Sequence, residues 1–256
     1  MSIESSFLNQ PAISGCYLFP QPRRIDSPFL VSVPDATLGC HHRIVDPDAL
    51  TLVHFHGNGE AVADYVADFA EECARLGLNM LFVEYRAYGN STGRAQLAAM
   101  LGDGEHAIKA AGIPFQRAIV YGRSVGSLYA IELAYRHPEI AGLVIESGIA
   151  ALSERLLIRV DLGAAGITEQ ELRDEIAVHF NHQKKLAAYS GPLLILHAQH
   201  DDLVDVTHAE RNHAWSASSD KHLVRFPHGN HNSIMAANHR EYFEHLGRFA
   251  KARRRP

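Results

Sequence analysis

The stretch Ala118-Ile119-Val120-Tyr121-Gly122-Arg123-Ser124-Val125-Gly126, followed by a helical pattern to Arg136, decides the fold. An apolar run of strand length meets a G-x-S-x-G turn and passes directly into a helix. A reversal this sharp leaves no room for side chains beside its apex, so the flanking positions must be glycine, and the serine hydroxyl is lifted above the sheet edge. Ser124 is therefore the candidate nucleophile. The competing reading makes Ser124 a helix-capping residue, but a strand before and a helix after are the context that the motif requires.

Outward from this turn the chain alternates short apolar strands with helical periodicity. Strands are expected at Leu50–Phe55, Asn79–Glu84, Arg117–Tyr121, Gly142–Glu146, Pro192–His197 and His222–Phe226. Helices are expected between them at Val62–Leu76, Gln96–Ala111, Val125–Arg136 and Thr207–Ala214. Repeated βα units imply a mostly parallel sheet with helices on both faces. Ahead of them, Phe29–Val45 reads as a hairpin about Pro34-Asp35, and Cys16–Phe19 as a possible earlier strand, which makes the opening antiparallel. The beat breaks between Ile149 and Ser190, where helical patterns dominate and Thr168, Glu169 and Glu171 mark a helix start. That stretch, roughly 150–190, is expected to be a small helical lid inserted in a single domain spanning 1–256.

A serine hydroxyl is a weak nucleophile without a base and an orienting acid, and in this arrangement both follow in the order acid, then histidine. The apolar strand Leu194-Ile195-Leu196-His197 ends in Ala198-Gln199-His200-Asp201-Asp202, at the carboxyl edge of the sheet where open α/β sheets bind ligands. Asp201 is the expected acid, with Asp202 the reserve and more plausibly a turn or cap residue. Pro227-His228-Gly229-Asn230-His231-Asn232 follows the last strand, so His231 or His228 is the expected base.

With these residues in view, the sequence resembles an α/β-hydrolase of the serine type, over roughly Leu52 to Arg248. Four motifs carry the likeness in the family's order: His56-Gly57-Asn58-Gly59, Glu84-Tyr85-Arg86-Ala87-Tyr88-Gly89-Asn90-Ser91, the turn at Ser124, and the late Asp and His loops. Together they are similar to small hydrolases of the ABHD17-like and BEM46-like groups. The resemblance maps the catalytic Asp four positions after His197, onto Asp201, and its G-x-H-N segment prefers His231. It implies an oxyanion hole built from the backbone N–H groups of Val125 and Asn58, with Gly57 or Gly59 as alternatives to Asn58. Ala87 stands where the family usually has Gly, Glu84 where Asp is usual, Asp205 where Pro is frequent, and Ala198 where Gly follows the strand-end His. The palmitoylated N-terminal cysteine cluster of the ABHD17 type is absent, so its membrane role is not carried over.

Composition bounds the partners. The chain has 256 residues, 46% hydrophobic, with a formal charge of −5, proportions of an ordinary globular protein. No apolar run is long enough to span a bilayer, and Met1–Pro11 lacks the pattern of a signal peptide, so cytoplasm and no stable membrane insertion are the expectations. A net negative chain gives no general attraction to nucleic acid. Cys16, Cys40 and Cys73 form neither a zinc pattern nor a disulfide framework. No metal and no organic cofactor is implied; Gly102-Asp103-Gly104 is too short for a dinucleotide fingerprint.

The expected activity is hydrolysis of a small-molecule carboxylic ester or thioester through an acyl-enzyme. A peptidase or amidase is the alternative within the fold, and a non-catalytic ligand-binding relative a third. His56 and Arg86 read as structural loop supports, and Arg123 as a member of a structural ion pair ahead of a substrate contact. Oligomeric state is not written in the sequence.

Overall fold

The structure is a computed structural model that describes residues 4–254. The first three residues of the leading segment and the last two of the chain lie outside that range. One eight-stranded sheet runs through the molecule in the order β1-β2-β4-β3-β5-β6-β7-β8. Its strands are β1 (Phe29–Val33), β2 (Ala36–Arg43), β3 (Thr51–Phe55), β4 (Asn79–Val83), β5 (Ala118–Arg123), β6 (Gly142–Glu146), β7 (Leu193–Ala198) and β8 (Lys221–Phe226). β1 pairs with β2 and β2 with β4 antiparallel, while every pairing from β4 to β8 is parallel. The expected fold class stands: a mostly parallel sheet, antiparallel at its N-terminal edge. At the hairpin, Asp35 takes φ 62°, the left-handed position that Asp tolerates better than most residues.

The helices are α1 (Pro11–Tyr17), α2 (Asp68–Arg75), α3 (Asp103–Ala110), α4 (Gly126–Arg136), α5 (Leu152–Leu156), α6 (Leu162–Ala165), α7 (Glu169–His179), α8 (His182–Ala188), α9 (Thr207–Trp215), α10 (Ile234–Ala237) and α11 (His239–Lys251). Strand side chains alternate between two cores, as the pleat demands. Val53, Val83, Val120, Ile145 and Ile195 face α3 and α4, whereas Leu52, Phe82, Tyr121, Val144 and Leu196 meet Phe69 of α2 and Tyr242, Leu246 and Phe249 of α11.

Two local expectations differ. Cys16–Phe19 is not a strand: α1 ends at Tyr17 and extended chain follows, because Pro11 favours the first helical turn and Leu8, Ile13 and Tyr17 have a core to fill. The two helices expected over Val62–Leu76 and Gln96–Ala111 each open as a 3₁₀ turn, at Val62–Asp64 and Ala99–Gly102. Between β6 and β7, α7 starts where Thr168, Glu169 and Glu171 mark a helix start, and Thr168 and Glu171 form a capping box there. The helices between β6 and β7 are tied to the rest of the molecule: Lys185 of α8 pairs with Glu132 of α4 at 2.6 Å, and His182 donates from Nδ1 to Ile149 O at 2.8 Å. They are also tied to the leading segment, since Phe7 N donates to Glu175 Oε2 at 2.9 Å. Among the described residues no helix is long and apolar enough to cross a membrane.

Candidate active site

The elbow between β5 and α4 has the backbone that its sequence requires. Ser124 sits at φ 51°, a conformation that costs a non-glycine residue of order 1–3 kcal/mol and clusters at functional sites. A Cβ on Gly122 would lie 2.6 Å from both Ala130 Cβ and Gly126 O, and one on Gly126 would lie 2.1 Å from Phe55 O. Both glycines are therefore fixed by space as well as by the turn.

The three residues singled out by chain order meet above this elbow. His231 Nε2 is 2.9 Å from Ser124 Oγ, and His231 Nδ1 lies 2.8 Å and 3.0 Å from the two carboxylate oxygens of Asp201. They come from the ends of β5, β7 and β8, and all three are buried, Ser124 and Asp201 at 8% exposure and His231 at 3%. Asp201 also accepts the Val204 N–H at 2.7 Å and the Leu203 N–H at 3.0 Å. Burial alone would raise its pKa; the hydrogen bonds and charge of His231 and the two backbone donors outweigh burial and hold it below the ordinary value. Asp201 therefore stays a carboxylate that can hold a proton on His231 Nδ1, which leaves Nε2 turned toward the serine hydroxyl.

The surrounding residues hold this trio in place. His197, desolvated and so depressed in pKa, donates from Nε2 to Val204 O at 2.8 Å and lies 3.4 Å from Asp201 Oδ2. Asp202 caps no helix and does not reach the His231 ring nitrogens: its Oδ1 accepts the His231 backbone N–H at 3.3 Å and its Oδ2 a bond from Asn230 Nδ2 at 3.3 Å. The reserve candidate thus anchors the histidine loop. His228 lies elsewhere, with its carbonyl bound by Asn238 Nδ2.

Arg123 is buried and lies 3.0 Å from Glu60 Oε1 and 3.4 Å from Glu146 Oε1. Burial opposes its charge, but the surrounding carboxylates and phenols more than restore it and raise its pKa. Glu146 in turn accepts hydrogen bonds from Tyr121 and Tyr242. His56 donates to Glu84 at 2.8 Å and sits beside Gly57 O, and Arg86 grips Asp103 with two bonds of 2.8 Å. All three behave as the structural supports expected of them.

A cavity of about 260 Å³ opens over Ser124. Its wall includes Val125 of the elbow, Asn58 of the loop after β3, Ile149, Arg155 and Arg159 from the stretch after β6, and Tyr17 and Phe19 from the leading segment. The last two are site residues that the sequence reading did not assign. Asn58 explains their presence: its Oδ1 accepts Phe19 N at 2.9 Å and Tyr88 OH at 3.1 Å, and its Nδ2 donates to Tyr17 O. Nothing in the local pattern of Pro11–Phe19 reports a contact made to a loop some forty residues away. Among the described residues no cluster of three or more His, Cys, Asp or Glu is arranged to hold a metal.

Comparison with known proteins agrees with this architecture. The Hydrolase_4 family, described as serine aminopeptidase S33, matches residues 46–172. An uncharacterised Mycobacterium tuberculosis protein is 28% identical over 187 residues, 72% of this chain and 63% of that protein. Human α/β-hydrolase domain-containing protein 17C is 23% identical over 180 residues, 68% of this chain and 51% of its own length. The chain thus spans less than two thirds of the curated relatives it matches. The Pyrococcus furiosus esterase Pf2001 superposes with a TM-score of 0.71 at 19% identity, covering 91% of this chain and 99% of that one. The fold is that of the α/β-hydrolases, shared with solved esterases.

Proposed function

We propose that this protein is a serine hydrolase that cleaves a carboxylic ester or thioester of a small molecule through an acyl-enzyme. The observation that carries the reading is the unbroken relay Ser124 Oγ to His231 Nε2 at 2.9 Å and His231 Nδ1 to Asp201 at 2.8 Å. Ser124 attacks the acyl carbon as His231 takes its proton; His231 returns that proton to the leaving group. Water then repeats the sequence on the acyl-enzyme, and Asp201 holds the imidazole tautomer throughout. The N–H groups of Val125 and Asn58 are the proposed donors to the developing oxyanion; both residues line the cavity beside Ser124.

The matched family, serine aminopeptidase S33, favours a second reading, an aminopeptidase. The cavity argues against it, since binding a free amino terminus needs a carboxylate and the wall carries arginines but neither Asp nor Glu.

Intact-mass spectrometry after incubation with a fluorophosphonate tests the proposal. A single adduct on the wild type, lost in Ser124→Ala and strongly slowed in Asp201→Ala and His231→Ala, supports an activated serine. No adduct on the wild type overturns it.

A further inference from the structure

The charge on the cavity wall is one-sided. Arg155 and Arg159 lie four residues apart on α5 and the turn that continues it, and both line the space over Ser124. Neither forms an ion pair among the described residues; the nearby Glu154 is taken instead by Arg211 at 2.6 Å and by His208 at 3.3 Å. Arg159 lies over the Phe19 ring, 5.1 Å from its centroid, and both guanidinium groups act on the Tyr17 hydroxyl across the same opening. The third arginine of the wall, Arg123, is already matched by Glu60 and Glu146.

Two unmatched cations therefore face a small cavity in a chain whose formal charge is −5. Low-dielectric walls of one sign focus the field and concentrate counter-charged ligands, and arginine's planar fork suits carboxylate and phosphate oxygens. A cavity of about 260 Å³ is below the usual range for drug-sized ligands, which places any group bound there close to the reacting carbon. From the unpaired Arg155 and Arg159 beside Ser124 we infer that the substrate is a short acyl ester or thioester bearing an anionic group, carboxylate or phosphate, near the scissile bond. This inference rests on the hydrolase reading above and names the substrate class of that same site.

Two matched pairs of esters test it. Mono-4-nitrophenyl succinate against 4-nitrophenyl pentanoate places a carboxylate on the acyl arm; 4-acetoxyphenyl phosphate against 4-methoxyphenyl acetate places a phosphate on the leaving group. The wild type is expected to favour the anionic member of at least one pair by tenfold or more in kcat/KM, and the pair that shows it identifies the anion. Arg155→Gln and Arg159→Gln are each expected to cut that ratio about tenfold, the size of one charge-assisted hydrogen bond. A ratio at or below one in both pairs, or a ratio unchanged in both variants, overturns the inference. Arg159 is the more exposed of the two, so its variant keeps the test available if Arg155→Gln does not fold. Calorimetric titration of Ser124→Ala with monomethyl succinate reads the anion site without chemistry. Binding weakened about tenfold by adding Arg159→Gln supports it even if the hydrolase reading fails, and no binding overturns it even if neutral esters are cleaved.

Discussion

Arg123 donates to the carbonyl of His231 at 3.0 Å, so the residue preceding the candidate nucleophile holds the loop that carries the candidate base. The same guanidinium neutralises Glu60 and Glu146. Replacing Arg123 with Ala strands the buried carboxylate of Glu146 and leaves the partly exposed Glu60 without its cation, and breaking a buried pair typically costs about 3–5 kcal/mol. Chemical denaturation is expected to show a loss of that size. Arg123→Lys keeps the charge without the fork, so it should recover part of the stability while kcat stays depressed. Full activity in Arg123→Lys would show that the bond to the histidine loop is dispensable.

Asp201→Asn separates orientation from charge. An amide can present its NH₂ to Nδ1 and hold the imidazole in the wrong tautomer, which in a comparable relay lowers kcat by about 10⁴-fold. The expected outcome is a loss of that order in ester hydrolysis with circular dichroism unchanged. A loss under tenfold would remove Asp201 from the relay and return attention to Asp202.

Ala87 occupies φ 66°, a left-handed conformation that costs an L-residue roughly 1–2 kcal/mol. Glycine at this position avoids that penalty and gives back about 0.5–1 kcal/mol in chain entropy. Ala87→Gly is accordingly expected to be neutral or to stabilise by up to about 1.5 kcal/mol, read from the denaturation midpoint. A destabilisation above that size would mean that the Ala87 methyl group makes packing contacts worth more than the strain.

Acid sensitivity follows from histidines that burial depresses, three of them most strongly. Desolvation depresses His54, lowers His182 to about 3 and lowers His208 to about 4. On unfolding each returns to near 6.5, so below that pH the unfolded chain binds protons that the fold excludes. The contribution is complete above about 6.5 and is lost as the pH falls toward the folded values. For fully buried His182 the loss is about 2 kcal/mol at pH 5, and His54 adds to it in the same direction. His56 works in the opposite sense: Glu84 raises it despite burial, so its contribution fades as the pH rises past that value. The three outweigh the one, and urea midpoints should drop between pH 7 and pH 5. Flat midpoints across that interval would contradict the burial of these rings as neutral species.

Much of this site was legible because its residues are locally constrained. Ser124 is announced by two glycines that steric contact makes obligatory, and Asp201 and His231 each follow an apolar strand in fixed order. What escaped the sequence was long-range. The helix at Pro11–Tyr17 is set by the core it covers, and Tyr17 and Phe19 enter the site only because Asn58 reaches them. α11 lies beyond the last strand, where Tyr242, Leu246 and Phe249 at helical spacing went unassigned. Asp202 shows the same limit: its partners, Asn230 and His231, stand 28 and 29 positions away.

The Asn58 side chain has one further consequence. Its amide fastens the Tyr17–Phe19 segment to the loop whose Asn58 N–H is the proposed oxyanion donor. The entrance wall and the charge-stabilising loop thus behave as one mechanical part. A bulky substrate that pushes Phe19 aside also displaces the donor, so crowding at the mouth registers as a slower chemical step and not merely as weaker binding.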